Sequence, residues 1–111
     1  MKASEARWVY CSVNLSIYTT FVLNMCERVA GSAADGKTDA EALGKLVGAF
    51  TVRDHWRHLA LMLEGALPEL GGDPRELAES ALENYRKADG VMREILRLAA
   101  DKPQSSGFVV H

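Results

Sequence analysis

The residues from Trp8 to Cys26, WVYCSVNLSIYTTFVLNMC, form a run of 19 without a charge. Arg7 precedes the run and Glu27-Arg28 follow it. Its conformation decides the fold, and two conformations compete. Val9, Cys11, Val13, Leu15 and Ile17 alternate as in a strand, among many β-forming residues. Trp8, Cys11, Leu15, Tyr18, Val22, Met25 and Val29 fall on an unbroken 3–4 spacing, as in a helix. Length favours the helix. No glycine or proline interrupts the chain from Met1 to Ala30. A hairpin would need a turn, for which only Asn14-Leu15-Ser16 is available. The spacing predicts one helix from Ser4 to Ala30, with Ser4 as N-cap and Gly31 as the stop.

That helix carries more apolar surface than one face needs. At about 100° per residue, Tyr10, Val13, Ile17 and Phe21 make a second face, roughly a third of a turn from the first. Ser12, Ser16, Thr19 and Thr20 make a narrow polar stripe without charge. A helix apolar nearly all round must be covered nearly all round. Either three other helices wrap it as a central helix, or the second face meets another chain across a two-fold axis. Tyr10, Val13, Ile17 and Phe21 are therefore the expected binding residues, with another protein or a second copy of the chain as partner.

The uncharged run is also as long as a membrane span. Ser12, Asn14, Ser16, Thr19, Thr20 and Asn24 place six hydrogen-bonding side chains within it, which argues for a soluble helix and no membrane partner. No small-residue cleavage site follows, so a signal peptide is not expected. The chain of 111 residues is 48% hydrophobic and 25% charged, with a net charge of -2. Those values fit a single soluble domain. A pI near 5.9 argues against gripping nucleic-acid phosphates as the main role. Cys11 and Cys26, 15 residues apart on one helix, would stand about 22 Å apart, beyond disulfide reach. Free thiols suit a reducing cytoplasm, the expected location.

Three more helices follow. Thr38-Asp39-Ala40-Glu41 is a capping-box signature, after which Leu43, Leu46, Val47 and Phe50 share one side. Thr51-Val52-Arg53-Asp54 looks like a second cap and predicts a break near Thr51. Val52, Trp56, Leu59, Leu63 and Leu67 form the next stripe, which Pro68 ends near Ala66. Asp73-Pro74-Arg75-Glu76 reads as N-cap, N1 proline and N3 glutamate. Leu77, Ala81, Tyr85, Ala88, Met92, Ile95 and Ala99 then line one face, with Glu83–Lys87 and Asp89–Arg93 as i,i+4 pairs outside it. The expected fold is all-α: a four-helix-bundle-like single domain over 1–100, with a long apolar first helix, pairing as a homodimer. Residues 101–111 are expected to form an irregular tail, in which Phe108-Val109-Val110 is apolar.

Two short motifs carry chemistry. Arg53-Asp54-His55-Trp56-Arg57-His58 fits Arg-Asp-x-x-x-His and resembles the arginine-histidine motif of HEPN-type ribonucleases, which are small all-helical dimers. The resemblance implies metal-free RNA cleavage, with Arg53 stabilising phosphate charge and His58 handling a proton. Leu59 and Ala60 stand where that family often has a tyrosine. Tyr85-Arg86-Lys87-Ala88-Asp89 resembles the late Tyr-x-x-x-Asp of secreted type VII substrates, although neither Trp8 nor Trp56 begins their Trp-x-Gly turn. His55 and His58 could bind a metal only with distant carboxylates such as Glu27 or Glu64, so no metal and no cofactor is expected. The favoured function is a non-enzymatic interaction module, a regulator, inhibitor or immunity-type binder. The ribonuclease using Arg53 and His58 is the alternative.

Overall fold

The computed structural model describes residues 2–100, and the tail 101–111 lies outside them. Helix α1 spans Ala3–Ala34, α2 Ala40–Thr51, α3 Arg53–Ala66 and α4 Gly72–Ala100, with one 3-10 turn at Leu67–Glu69. All regular structure among the described residues is helical, as the patterning predicted.

The ends of α1 differ from expectation. Lys2, not Ser4, is the N-cap, and its backbone N–H donates to the Glu5 carboxylate at 3.2 Å. Gly31 does not stop the helix. Ser32-Ala33-Ala34 continue it, and one helical glycine costs only about 1 kcal/mol relative to alanine. The chain turns instead at Asp35-Gly36, where Gly36 takes φ +73°, and the Asp35, Gly36 and Lys37 amides donate to carbonyls of Ser32 and Ala33. Asp39 caps α2 by accepting from the Ala42 amide at 3.0 Å. The predicted break falls at Val52, which closes α2 and opens α3. Helix α4 starts at Gly72 rather than after an Asp73 cap, and Gly72 itself has φ +57°.

Residue pairings fix the topology. Tyr18 lies beside Tyr85, and Val29 lines the same groove as Ile95, so α1 and α4 run in the same direction. Arg28 meets Asp39, and Tyr18 meets Ala49 and then Trp56. Arg53 meets Asp89, and Glu64 meets Arg86. Both series run backwards along α1 and α4. Thus α2 and α3 lie end to end, antiparallel to the two long helices. Four helices occupy three positions in cross-section, in a rod of 57 × 23 × 17 Å.

The core follows the predicted stripes on the long helices. Leu15, Tyr18, Val22 and Met25 of α1 pack with Ala81, Tyr85, Ala88 and Met92 of α4. Ala78, Ala81 and Ala88 are small, which lets the two backbones come close. On the short helices the patterning held in part. Leu46 and Leu63 are buried as expected, whereas Val47, Phe50 and Val52, also expected inside, are exposed, and Ala42, Ala49 and Ala60 face the core in their place. Close approach selected the alanines, and the bulkier residues fell to the rim. Ser12 and Thr19, expected in a polar stripe, are buried. Ser12 donates to the Trp8 carbonyl at 2.8 Å. The Thr19 hydroxyl is buried without a hydrogen-bond partner within the structure.

Tyr18 joins all four helices. Its ring stacks on Trp56 with centroids 4.6 Å apart and planes 13° apart. Its hydroxyl donates to the Ala49 carbonyl at 3.3 Å, and Tyr85 lies 6.5 Å away by ring centroid. Burial, then the neighbouring Tyr85 and Asp89, push its pKa up to about 12.

Candidate functional site

A three-position cross-section gives each helix two neighbours and one open side. Adding Ser12, Thr19 and Cys26 to the buried face of α1 turns its centre further from the second apolar face. The two then lie roughly 150° apart on the wheel. Tyr10, Val13, Ile17 and Phe21 accordingly point outward, with 71%, 43%, 63% and 40% of their surface exposed. No described residue covers them, so α1 is not a central helix wrapped within the described part of one chain.

These four side chains form one continuous stripe. Exposed Thr20 and Asn24 extend it without adding a charge. From Tyr10 to Asn24 the stripe runs about 21 Å along the helix. Ile17 is at its centre, both along the axis and around it. Charges stand only at the ends. Arg7, whose guanidinium lies 5.0 Å from the Trp8 ring centre, marks one end. Glu27 marks the other. Beside it Arg28 is engaged by Asp39 at 3.1 Å and Glu41 at 3.0 Å; the Ala42 amide and then Arg28 hold the Asp39 carboxyl below its usual range, and Arg28 does the same for Glu41. Single exposed apolar residues are ordinary, but four in one uncharged stripe are more than scattered exposure accounts for.

By length and composition α1 could also cross a membrane. One side of it is packed against the other helices, through Leu15, Tyr18, Val22 and Met25 among others. Cys11 and Cys26 are both free, and burial pushes the Cys26 thiol up.

The residues of the ribonuclease-like motif do not converge. Arg53 is half-buried, with Nε 2.8 Å from Asp89 Oδ1 and Nη2 3.4 Å from Oδ2, and its guanidinium lies over the Phe50 ring. His58 is exposed. Five residues along one helix set the two side chains roughly 140° apart around its axis. Asp54 is exposed and pairs with Arg57 at 3.5 Å. In the second motif Tyr85 is buried and Asp89 is held by Arg53 and by Arg93, at 3.2 Å. The Asp89–Arg93 pair was expected, and the one with Arg53 was not. Among the described residues no three His, Cys, Asp or Glu side chains gather to hold a metal. Glu64 is instead paired with Arg86 at 2.6 Å.

The sequence reading missed a groove of about 470 Å³ at the end where α1 and α4 terminate. Val29, Ala33, Leu43, Ile95 and Leu98 supply its apolar walls, and Lys37 and Asp39 stand among its lining. The signal was present in the apolar stripes of α1 and α4, which continue beyond the first turn of α2. Comparison of the chain with protein-family models, curated proteins and solved structures found no match.

Proposed function

We propose that this protein is a non-enzymatic interaction module whose working surface is the outer face of α1. It acts as a regulator, inhibitor or immunity-type binder, presenting Tyr10, Val13, Ile17 and Phe21 on a stiff helix. One observation carries the reading: four large apolar side chains lie exposed in a single uncharged stripe, opposite the face that packs into the core. A rigid helix pays little ordering entropy on binding, so such a stripe suits helix-to-helix recognition. A cytoplasmic location fits two free thiols on one helix, out of reach of each other.

No observation favours the ribonuclease alternative, because Arg53 is committed to Asp89 and His58 points elsewhere. The test is capture of binding partners from the native host by the wild type and by Ile17→Glu, with helical content checked by circular dichroism. The proposal expects proteins retained by the wild type and lost from a folded Ile17→Glu. Equal retention by both would sink it.

A further inference from the structure

The partner of this face can be named. We infer that the outer stripe of α1 docks on the same stripe of a second copy of the chain, antiparallel, with the two-fold axis passing at Ile17. This rests on the reading of that stripe as an interaction surface and adds its occupant and orientation.

Symmetry favours this pairing. A two-fold interface is self-complementary, so whatever lies on one side of the axis must fit what lies on the other. Ile17 sits at the middle of the stripe in both directions. Counting outward from it in an antiparallel pair, Val13 stands at the level of the second copy's Phe21. Tyr10 stands at the level of the second copy's Asn24. Phe21 and Tyr10 therefore each meet a smaller side chain, as interdigitating helices require, and Ile17 meets its own copy on the axis. In a parallel pair Phe21 would meet Phe21 and Tyr10 would meet Tyr10, leaving gaps at Val13.

Charge favours the same orientation. The beginning of α1 carries Lys2, Glu5 and Arg7, a net charge of +1. The other end carries Glu27, Arg28 and the C-cap Asp35, a net charge of -1. The helix dipole adds positive character to the first end and negative character to the second. Antiparallel docking sets the positive end of each copy beside the negative end of the other, with Arg7 at the level of Glu27. Parallel docking sets like against like at both ends. The span between them carries no charge that would oppose burial.

Light scattering on a sizing column and cysteine crosslinking test this together. The wild type should elute at twice the 12.2 kDa chain mass. Ile17→Glu and, separately, Tyr10→Glu should remain helical and weaken self-association by roughly 100-fold. Crosslinking uses a Cys11→Ser background. Ile17→Cys should oxidise to a covalent dimer by itself. Val13→Cys and Phe21→Cys should each crosslink poorly alone and efficiently when the two chains are mixed. Efficient crosslinking of Phe21→Cys alone would overturn the antiparallel orientation. A monomeric wild type would overturn the second copy as occupant, as would a monomer that floats with phospholipid vesicles. Either monomer leaves the interaction-module reading to be judged separately by the capture experiment.

Discussion

Arg53 and Asp89, 36 residues apart, tie α3 to α4 through a two-pronged bond, with Nε to Oδ1 at 2.8 Å and Nη2 to Oδ2 at 3.4 Å. Each residue is the charged member of a different sequence motif. One motif resembles a nuclease signature and the other a secretion signature, and the two residues are bound to each other. Asp89 also accepts from Arg93, so its carboxylate is shared between two guanidiniums. A structural contact thus accounts for the charged residue types at both positions.

Removing either partner should destabilise the fold. Arg53→Ala and Asp89→Ala should each lower the unfolding free energy by about 2 kcal/mol, the scale of a charge-assisted hydrogen bond at a half-buried site. The double variant should cost less than the sum of the two. Urea denaturation in a double-mutant cycle measures this coupling. Arg53→Lys should recover only part of the loss, because an ammonium cannot make the two-pronged contact.

Tyr18 should make the protein sensitive to alkali. Its pKa is near 12 in the folded chain and about 10 when unfolded, so the folded state holds the proton longer. Its contribution is complete below pH 10 and is lost as pH rises from about 10 to 12. Burial raises the Tyr85 hydroxyl as well, which acts in the same direction. Denaturation midpoints measured across that window should fall, and Tyr18→Phe should flatten the fall. At neutral pH Tyr18→Phe should cost about 1 kcal/mol for the lost bond to Ala49.

The acid side has the opposite sign. The Ala42 amide and then Arg28 hold the Asp39 carboxyl below its ordinary 3.8, and Arg28 and Lys45 do the same for Glu41. Their stabilisation is present above the unfolded pKa and is lost as pH falls through the folded one. Thermal midpoints should drop below about pH 4. Asp39→Asn, which keeps an N-cap acceptor but no charge, should lose less stability at neutral pH than Asp39→Ala.

Thr19 offers a stabilising substitution. Its buried hydroxyl makes no hydrogen bond within the structure, and desolvating such a group costs about 1–3 kcal/mol. Thr19→Val keeps the branched shape and removes that cost. It should raise the unfolding free energy by about 1 kcal/mol, read by urea titration. A lower midpoint would show that the oxygen is satisfied in solution.

The surface substitutions separate folding from association. Ile17 is exposed, so Ile17→Glu should change the stability of the single chain by less than about 0.5 kcal/mol while strongly weakening assembly. A charge reversal at exposed Glu83 should change neither by a comparable amount.

Much of the fold was legible in local signals. The 3–4 spacing in α1 and α4 marked their core faces, the capping signature at Thr38–Glu41 marked the start of α2 although Asp39 rather than Thr38 is the cap, and Pro68 marked the end of α3. The second apolar face of α1 was legible as a stripe, but its exposure was not, because periodicity does not say how many helices surround it. The buried faces of α2 and α3 were legible only in part. Hydrophobicity ranks Val47 and Phe50 above Ala42 and Ala49, whereas close packing against α1 prefers the smaller pair. Gly31 was overvalued as a stop because nothing local shows that Ser32-Ala33-Ala34 will continue the helix. The Arg53–Asp89 bond and the groove at Val29 and Leu98 depend on chain topology, which periodicity does not encode.

The joint at Val52 has a mechanical consequence. Only one of the three positions in the cross-section is interrupted there, and the His55 amide reaches back to the Val52 carbonyl at 3.1 Å in a single tightened turn. The unbroken α1 and α4 act as splints across the gap. They prevent bending, while the joint lets α2 and α3 each settle into its own rotational setting. Hydrogen exchange should therefore begin at the amides around Val52 and spread separately into α2 and α3, with the splints opening last.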